Sequence, residues 1–125
     1  MKIILDTNFL IYCAKEKLDY TEKINNLISE GYELVVPIQV IEELERLKIK
    51  AKKGKDKTAS DLALQILESK KIKKVEVEGK TVDQGIINLS NENKKNIVAT
   101  LDREMRHILG RVILVNRGKK LMLTK

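Results

Sequence analysis

Four short apolar runs constrain this chain more than any other feature of its sequence: Ile3-Ile4-Leu5, Leu34-Val35-Val36, Ile97-Val98-Ala99 and Val112-Ile113-Leu114-Val115. A strand with one wet face alternates apolar and polar residues. A run without alternation belongs to a strand covered on both faces, as in parallel sheets. The segments between the runs have helical spacing. Ile24, Leu27 and Ile28 recur that way within Thr21 to Ser29, with Gly31 as a stop. Val40, Ile41, Leu44 and Leu47 do so from Ile38 onward, after the single proline, Pro37. Thr58 and Asp61 have the spacing of a capping box opening a helix with Leu62, Ala63, Ile66 and Leu67; Thr81 and Gln84 repeat it before Val82, Ile86 and Leu89. Gly54 and its flanking lysines read as a polar, mobile connection. Val75 and Val77 read as a short alternating strand, Asp102 to Leu109 as a short helix stopped by Gly110, and Leu121 to Leu123 as an edge strand. Strands alternating with helices predict an α/β fold, a mostly parallel sheet with helices on both faces, as one domain over residues 1–125.

Composition narrows the function. Lys and Arg total 25 against 18 Asp and Glu, a formal charge of +7. The excess is clustered at Lys48, Lys50, Lys52, Lys53, Lys55 and Lys57, and again at Arg103 and Arg106. Such a surface suits a polyanion. Aromatic residues are too scarce for a base-stacking platform, so nucleic-acid contacts are expected mainly at phosphates. Cys13 and His107 are the only residues of their kinds. That excludes an internal disulfide, a cysteine zinc cluster and a histidine dyad within one chain. Cys13 is expected to be a small buried hydrophobe, and His107 a surface residue. No apolar run approaches the roughly 20 residues of a membrane span. Asp6 also interrupts any signal-like apolar start, so a cytoplasmic location is expected.

Open parallel sheets bind ligands outside the carboxyl ends of their strands. Asp6-Thr7-Asn8 follows the first run and Thr100-Leu101-Asp102-Arg103 the third. Two further acids fall on helix shoulders. With Val40 as origin and about 100° per residue, Ile41, Leu44 and Leu47 form an apolar stripe. Glu43 sits on its shoulder at about −60°, while Glu42 and Glu45 point away at about 200° and 140°. Asp83 lies at about 100°, on the edge of the stripe made by Val82, Ile86 and Leu89. Four carboxylates near one crevice repel each other without a counter-ion. A hard divalent cation with oxygen ligands removes that repulsion, and no Cys or His set competes for a softer metal. Such a cation can activate water and neutralise charge on a phosphoryl group. An acidic metal centre in a basic protein therefore points to phosphodiester hydrolysis. Thr7, Asn8 and Thr100 are placed to orient these acids.

Ile3-Ile4-Leu5-Asp6-Thr7-Asn8 resembles the first motif of the PIN-domain ribonucleases. Val40 to Leu47 resembles the second, with its acid at Glu43; Asp83-Gln84-Gly85-Ile86 resembles the third, and Ile97 to Glu104 the fourth, at Asp102. The third motif often carries a second acid where this chain has Gln84, a departure that weakens a second metal site. The resemblance runs in order along nearly the whole chain. It implies a five-stranded parallel sheet, Mg²⁺- or Mn²⁺-dependent cleavage of single-stranded RNA, and a homodimer. The stretches Glu43 to Leu47 and Ala99 to Glu104 look closest to stand-alone archaeal PIN proteins and small-subunit rRNA-processing nucleases. VapC-type toxins, with an antitoxin partner, share the four acids. They rank second because Arg103 to Arg106 reads as a basic helix where those toxins usually carry an aromatic residue. An RNA-binding ribosome-assembly module without turnover is the remaining alternative.

Overall fold

Ile3, Ile4 and Leu5 are each 0% exposed, as are Ile97, Val98 and Ala99. Successive strand residues point to opposite faces, so both faces of the sheet centre are covered. The computed structural model describes residues 1–116 and 118–124. In chain order the elements are β1 (Lys2–Leu5), α1 (Thr7–Lys15), α2 (Tyr20–Leu27), β2 (Glu33–Pro37), α3 (Ile38–Lys50) and α4 (Gly54–Ser69). They continue with β3 (Lys73–Val75), α5 (Val82–Ser90), β4 (Ile97–Ala99), α6 (Arg103–Ile108), β5 (Val112–Val115) and β6 (Leu121–Thr124).

Among the described residues the sheet has six strands in the order β3-β2-β1-β4-β5-β6. The first five are parallel, and β6 closes one edge antiparallel to β5, pairing Ile113 with Leu123. The five parallel strands match the expected count, and the apolar stretch from Leu121 adds the sixth. From β1 the chain passes to β2 on one side, while β4 arrives on the other. The order reverses between β1 and β4, and in open parallel sheets ligands bind beyond the carboxyl ends of the strands at such a reversal.

Four details depart from the sequence reading. Thr7–Lys15 is a helix that the sequence did not announce. Its Phe9, Leu10, Cys13 and Ala14 are buried, but apolar residues run unbroken from Phe9 to Ala14 and hide the helical period. The lysine-rich stretch is no loose connection: a turn of three residues, 51–53, separates α3 from α4, which begins at Gly54. Thr58 therefore lies inside α4 and caps nothing; the N-cap is Lys53, without a side-chain bond. Finally, β3 ends at Val75, and Val77 is buried beyond the strand, against Gly85. The Thr81 cap is present, its hydroxyl accepting from the Gln84 amide at 3.1 Å. Among the described residues no helix is long and apolar enough to cross a membrane.

Candidate active site

Asp6 ends β1 and caps α1. It is 4% exposed. One carboxylate oxygen accepts from the Thr7 amide at 2.8 Å and the other from the Thr100 hydroxyl at 2.7 Å. Thr100, 0% exposed, stands directly after β4, so the β1–β4 pairing brings these two residues together from opposite ends of the chain. The same hydroxyl oxygen accepts from the Asp102 amide at 3.0 Å. Asp102 in turn caps α6, accepting from the Glu104 amide at 2.9 Å. Asn8 Oδ1 accepts from the Leu101 amide at 3.1 Å, tying the start of α1 to the end of β4. Asp6, Asn8, Thr100 and Asp102 thus form one hydrogen-bonded set across the switch point.

Glu43 and Asp83 join by charge. Burial pushes the Asp6 carboxyl up to about 6; its hydrogen bonds from Thr100 and Thr7 oppose this, and the charges of Asp83 and Glu43 add to it. Asp83 is exposed as a residue, yet the protein beside its carboxyl removes enough water to push it up, and the charges of Asp102 and Glu43 push the same way. Glu43 is half-buried while Glu42 and Glu45 are exposed, as the wheel of α3 requires.

Every side-chain donor in this set is oxygen, the chemistry of a hard divalent cation. The charges of Glu43 and Asp83 bear on Asp6, and those of Glu43 and Asp102 on Asp83, all in the direction of repulsion. Thr7 Oγ1 is buried without a hydrogen-bond partner. Both features fit Mg²⁺ or Mn²⁺. Among the described residues no three Asp, Glu, His or Cys side chains form a ready-made ligand cluster.

The basic residues are placed differently. Lys48 forms an ion pair with Asp61 at 3.3 Å, so it is not wholly free for another partner. Lys50, Lys52, Lys53, Lys55 and Lys57 are exposed along the end of α3, the turn and the start of α4. Lys50 lies seven residues past Glu43, about 10 Å along the helix axis. Arg103 and Arg106 are exposed on α6, immediately after Asp102. His107 is exposed. Cys13 is 1% exposed, and burial pushes its thiol up to about 12, which makes it inert.

Gln84 Nε2 donates to Asn88 Oδ1 at 2.8 Å, one turn along α5. One residue escaped the sequence reading. Gln39 Nε2 donates to the Val77 carbonyl at 2.8 Å. The signal was available, since Gln39 lies only about 40° from Glu43 on the wheel of α3.

Comparison with known proteins gives three results. The sequence pattern of the family described as "PIN like domain" matches residues 3–117. The chain is 39% identical over 109 residues to Ribonuclease VapC4 of Methanocaldococcus jannaschii, covering 86% of this chain and 82% of that protein. The fold is similar to that of the PIN domain endonuclease Utp24, with a TM-score of 0.75 at 22% identity, covering 96% of this chain and 90% of the other. With the match spanning all four acids and the strands and helices that carry them, this chain belongs to the PIN-like domain family.

Proposed function

We propose that this chain is an Mg²⁺- or Mn²⁺-dependent endoribonuclease that cleaves single-stranded RNA. The observation that carries this is the hydrogen-bonded set of Asp6, Thr100 and Asp102 at the β1–β4 switch point, with Glu43 and Asp83 near enough for their charges to raise the Asp6 carboxyl. Asp6, Glu43, Asp83 and Asp102 hold the cation. When bound, the cation supplies positive charge to the phosphoryl group and acidity to water. Thr100 fixes Asp6 and the Asp102 backbone in one frame, Asn8 fixes the end of β4, and Thr7 contributes its unpaired hydroxyl. The exposed lysines from 50 to 57, with Arg103 and Arg106, hold phosphates on either side of the cut.

The order of the two biological readings is reversed from that given by the motifs alone. Similarity to Ribonuclease VapC4 over 109 residues favours a VapC-type toxin, with a small antitoxin as partner. Likeness to Utp24 at 22% identity extends to the fold and does not support rRNA processing. The basic helix after Asp102 is then a variation within the toxin type.

Labelled RNA incubated with Mn²⁺, Mg²⁺ or EDTA, beside Asp6→Asn, tests the activity. Cleavage is expected only for the unaltered chain with a divalent cation. Cleavage that survives both EDTA and the substitution defeats the assignment. Overexpression separates the biological readings: growth arrest is expected of a toxin, and harmless accumulation of an RNA-cleaving protein returns processing to first place.

A further inference from the structure

Resting on the reading that Glu43 and Asp83 share a cation, we propose that Gln39 is a positioning residue whose hydrogen bond to the Val77 carbonyl fixes the helix carrying Asp83 relative to the helix carrying Glu43. Gln39 lies in the first turn of α3, one turn before Glu43, and reaches 38 positions along the sequence to make its 2.8 Å bond. Val77 belongs to the connection 76–81, which leads directly into α5.

That connection and the start of α5 behave as one body. A Cβ on Gly79 would lie 2.6 Å from the Gly85 amide nitrogen, and a Cβ on Gly85 would lie 2.5 Å from Val77 Cγ2. These approaches leave no room for anything but hydrogen at either glycine. Asn88 Nδ2 donates to the Glu78 carbonyl at 2.6 Å, and Gln84 Nε2 holds the Asn88 side chain from the neighbouring turn. Any displacement of the Val77 carbonyl is therefore carried to Asp83, in the first turn of α5. The Gln39 amide thus makes a polar link from α3 to the connection that carries α5.

The chemistry of the side chain argues against a purely structural role. Gln39 Oε1 is buried and has no hydrogen-bond partner. A buried unpaired acceptor is destabilising. Methionine has the same length without that penalty, so packing alone does not call for glutamine. What glutamine adds is an N–H at the end of a chain long enough to reach Val77.

The test compares the full chain with Gln39→Met and Asn88→Ala, the latter releasing the same body at an exposed position. Three quantities are read: Mn²⁺ affinity by calorimetry, amide hydrogen exchange by residue, and the urea midpoint. Both variants are expected to bind Mn²⁺ about tenfold more weakly, the lower end of what losing a ligand's supporting partner usually causes. Exchange should accelerate across residues 76–85 and not in β1 or β4, with the urea midpoint of Gln39→Met little changed, since losing the bond to Val77 offsets removing the unpaired acceptor. Mn²⁺ affinity within twofold of the parent protein would overturn the proposal. So would an equal acceleration of exchange in β1 and β4, which marks general loosening. If the parent protein itself binds no Mn²⁺, the cation reading falls. Exchange then decides the strut alone: acceleration confined to residues 76–85 upholds it, and uniform or absent acceleration overturns it.

Discussion

Asp6 carries its charge where water would stabilise it better than the protein does. Its carboxyl is pushed from the ordinary 3.8 up to about 6, chiefly by burial, a difference of about 2 units or roughly 3 kcal/mol at full effect. Because the folded value is the higher one, ionised Asp6 opposes folding. The penalty is absent below about pH 4, grows between about 4 and 6, and is complete above 6. In EDTA, Asp6→Asn should therefore be more favourable to the unfolding free energy at pH 7.5 than at pH 3.5 by up to about 3 kcal/mol, the hydrogen bond that the new NH2 cannot accept weighing at both; urea titration across this range measures it. An equal effect at both pH values would show that the charge of Asp6 is not what opposes folding. The carboxylates themselves were legible in the sequence, Asp6 and Asp102 by their place after strands and Glu43 by its angle on α3. Thr100 was legible only as a neighbour. That its single hydroxyl serves both Asp6 and the Asp102 amide depends on the β1–β4 pairing, which no local pattern encodes.

At the scale of elements, α5 shows packing prevailing over propensity. Gly85 lies inside this helix, where glycine normally costs about 1 kcal/mol relative to alanine. Gly85→Ala should nevertheless destabilise the protein by about 1–3 kcal/mol, because the new methyl meets Val77 Cγ2. Combining it with Val77→Ala should cost less than the sum of the single changes, as chemical denaturation of all four forms would reveal. If Gly85→Ala is stabilising, the close approach at Val77 is not felt. The elements read most easily were those with one clear apolar stripe, α3 above all, and the unbroken runs of β1, β2, β4 and β5. The whole of α1 and the start of α4 were missed for opposite reasons. Too many of the α1 residues are apolar, so the period is lost. The first turn of α4 has none at all, and its buried face begins only at Ala59 and Ser60. Val77 was misread because alternation with Val75 imitates a strand, when its burial comes from the glycine of the next helix.

For the whole molecule, the formal charge of +7 coexists with acids whose charges act on one another beside the β1–β4 switch point. Attraction of RNA and its chemistry are thus assigned to different surfaces. Binding should weaken with salt as phosphate contacts release counter-ions, about 0.7 in log–log slope per contact for a single strand. Four to six contacts give a slope of about −3 to −4, read by fluorescence anisotropy in EDTA with Asp6→Asn so that no RNA is cut. A flat line would remove the role assigned to the basic residues.

The two margins of the sheet are finished differently. On one side the chain doubles back as β6, so β5 does not end the sheet. On the other, β3 is only three residues long and bears exposed Lys73 and Lys74. Short outermost strands studded with ammonium groups make poor templates for a neighbouring molecule's backbone. A catalyst that must grip a polyanion thereby carries, on the flank opposite β6, a built-in guard against sticking to itself.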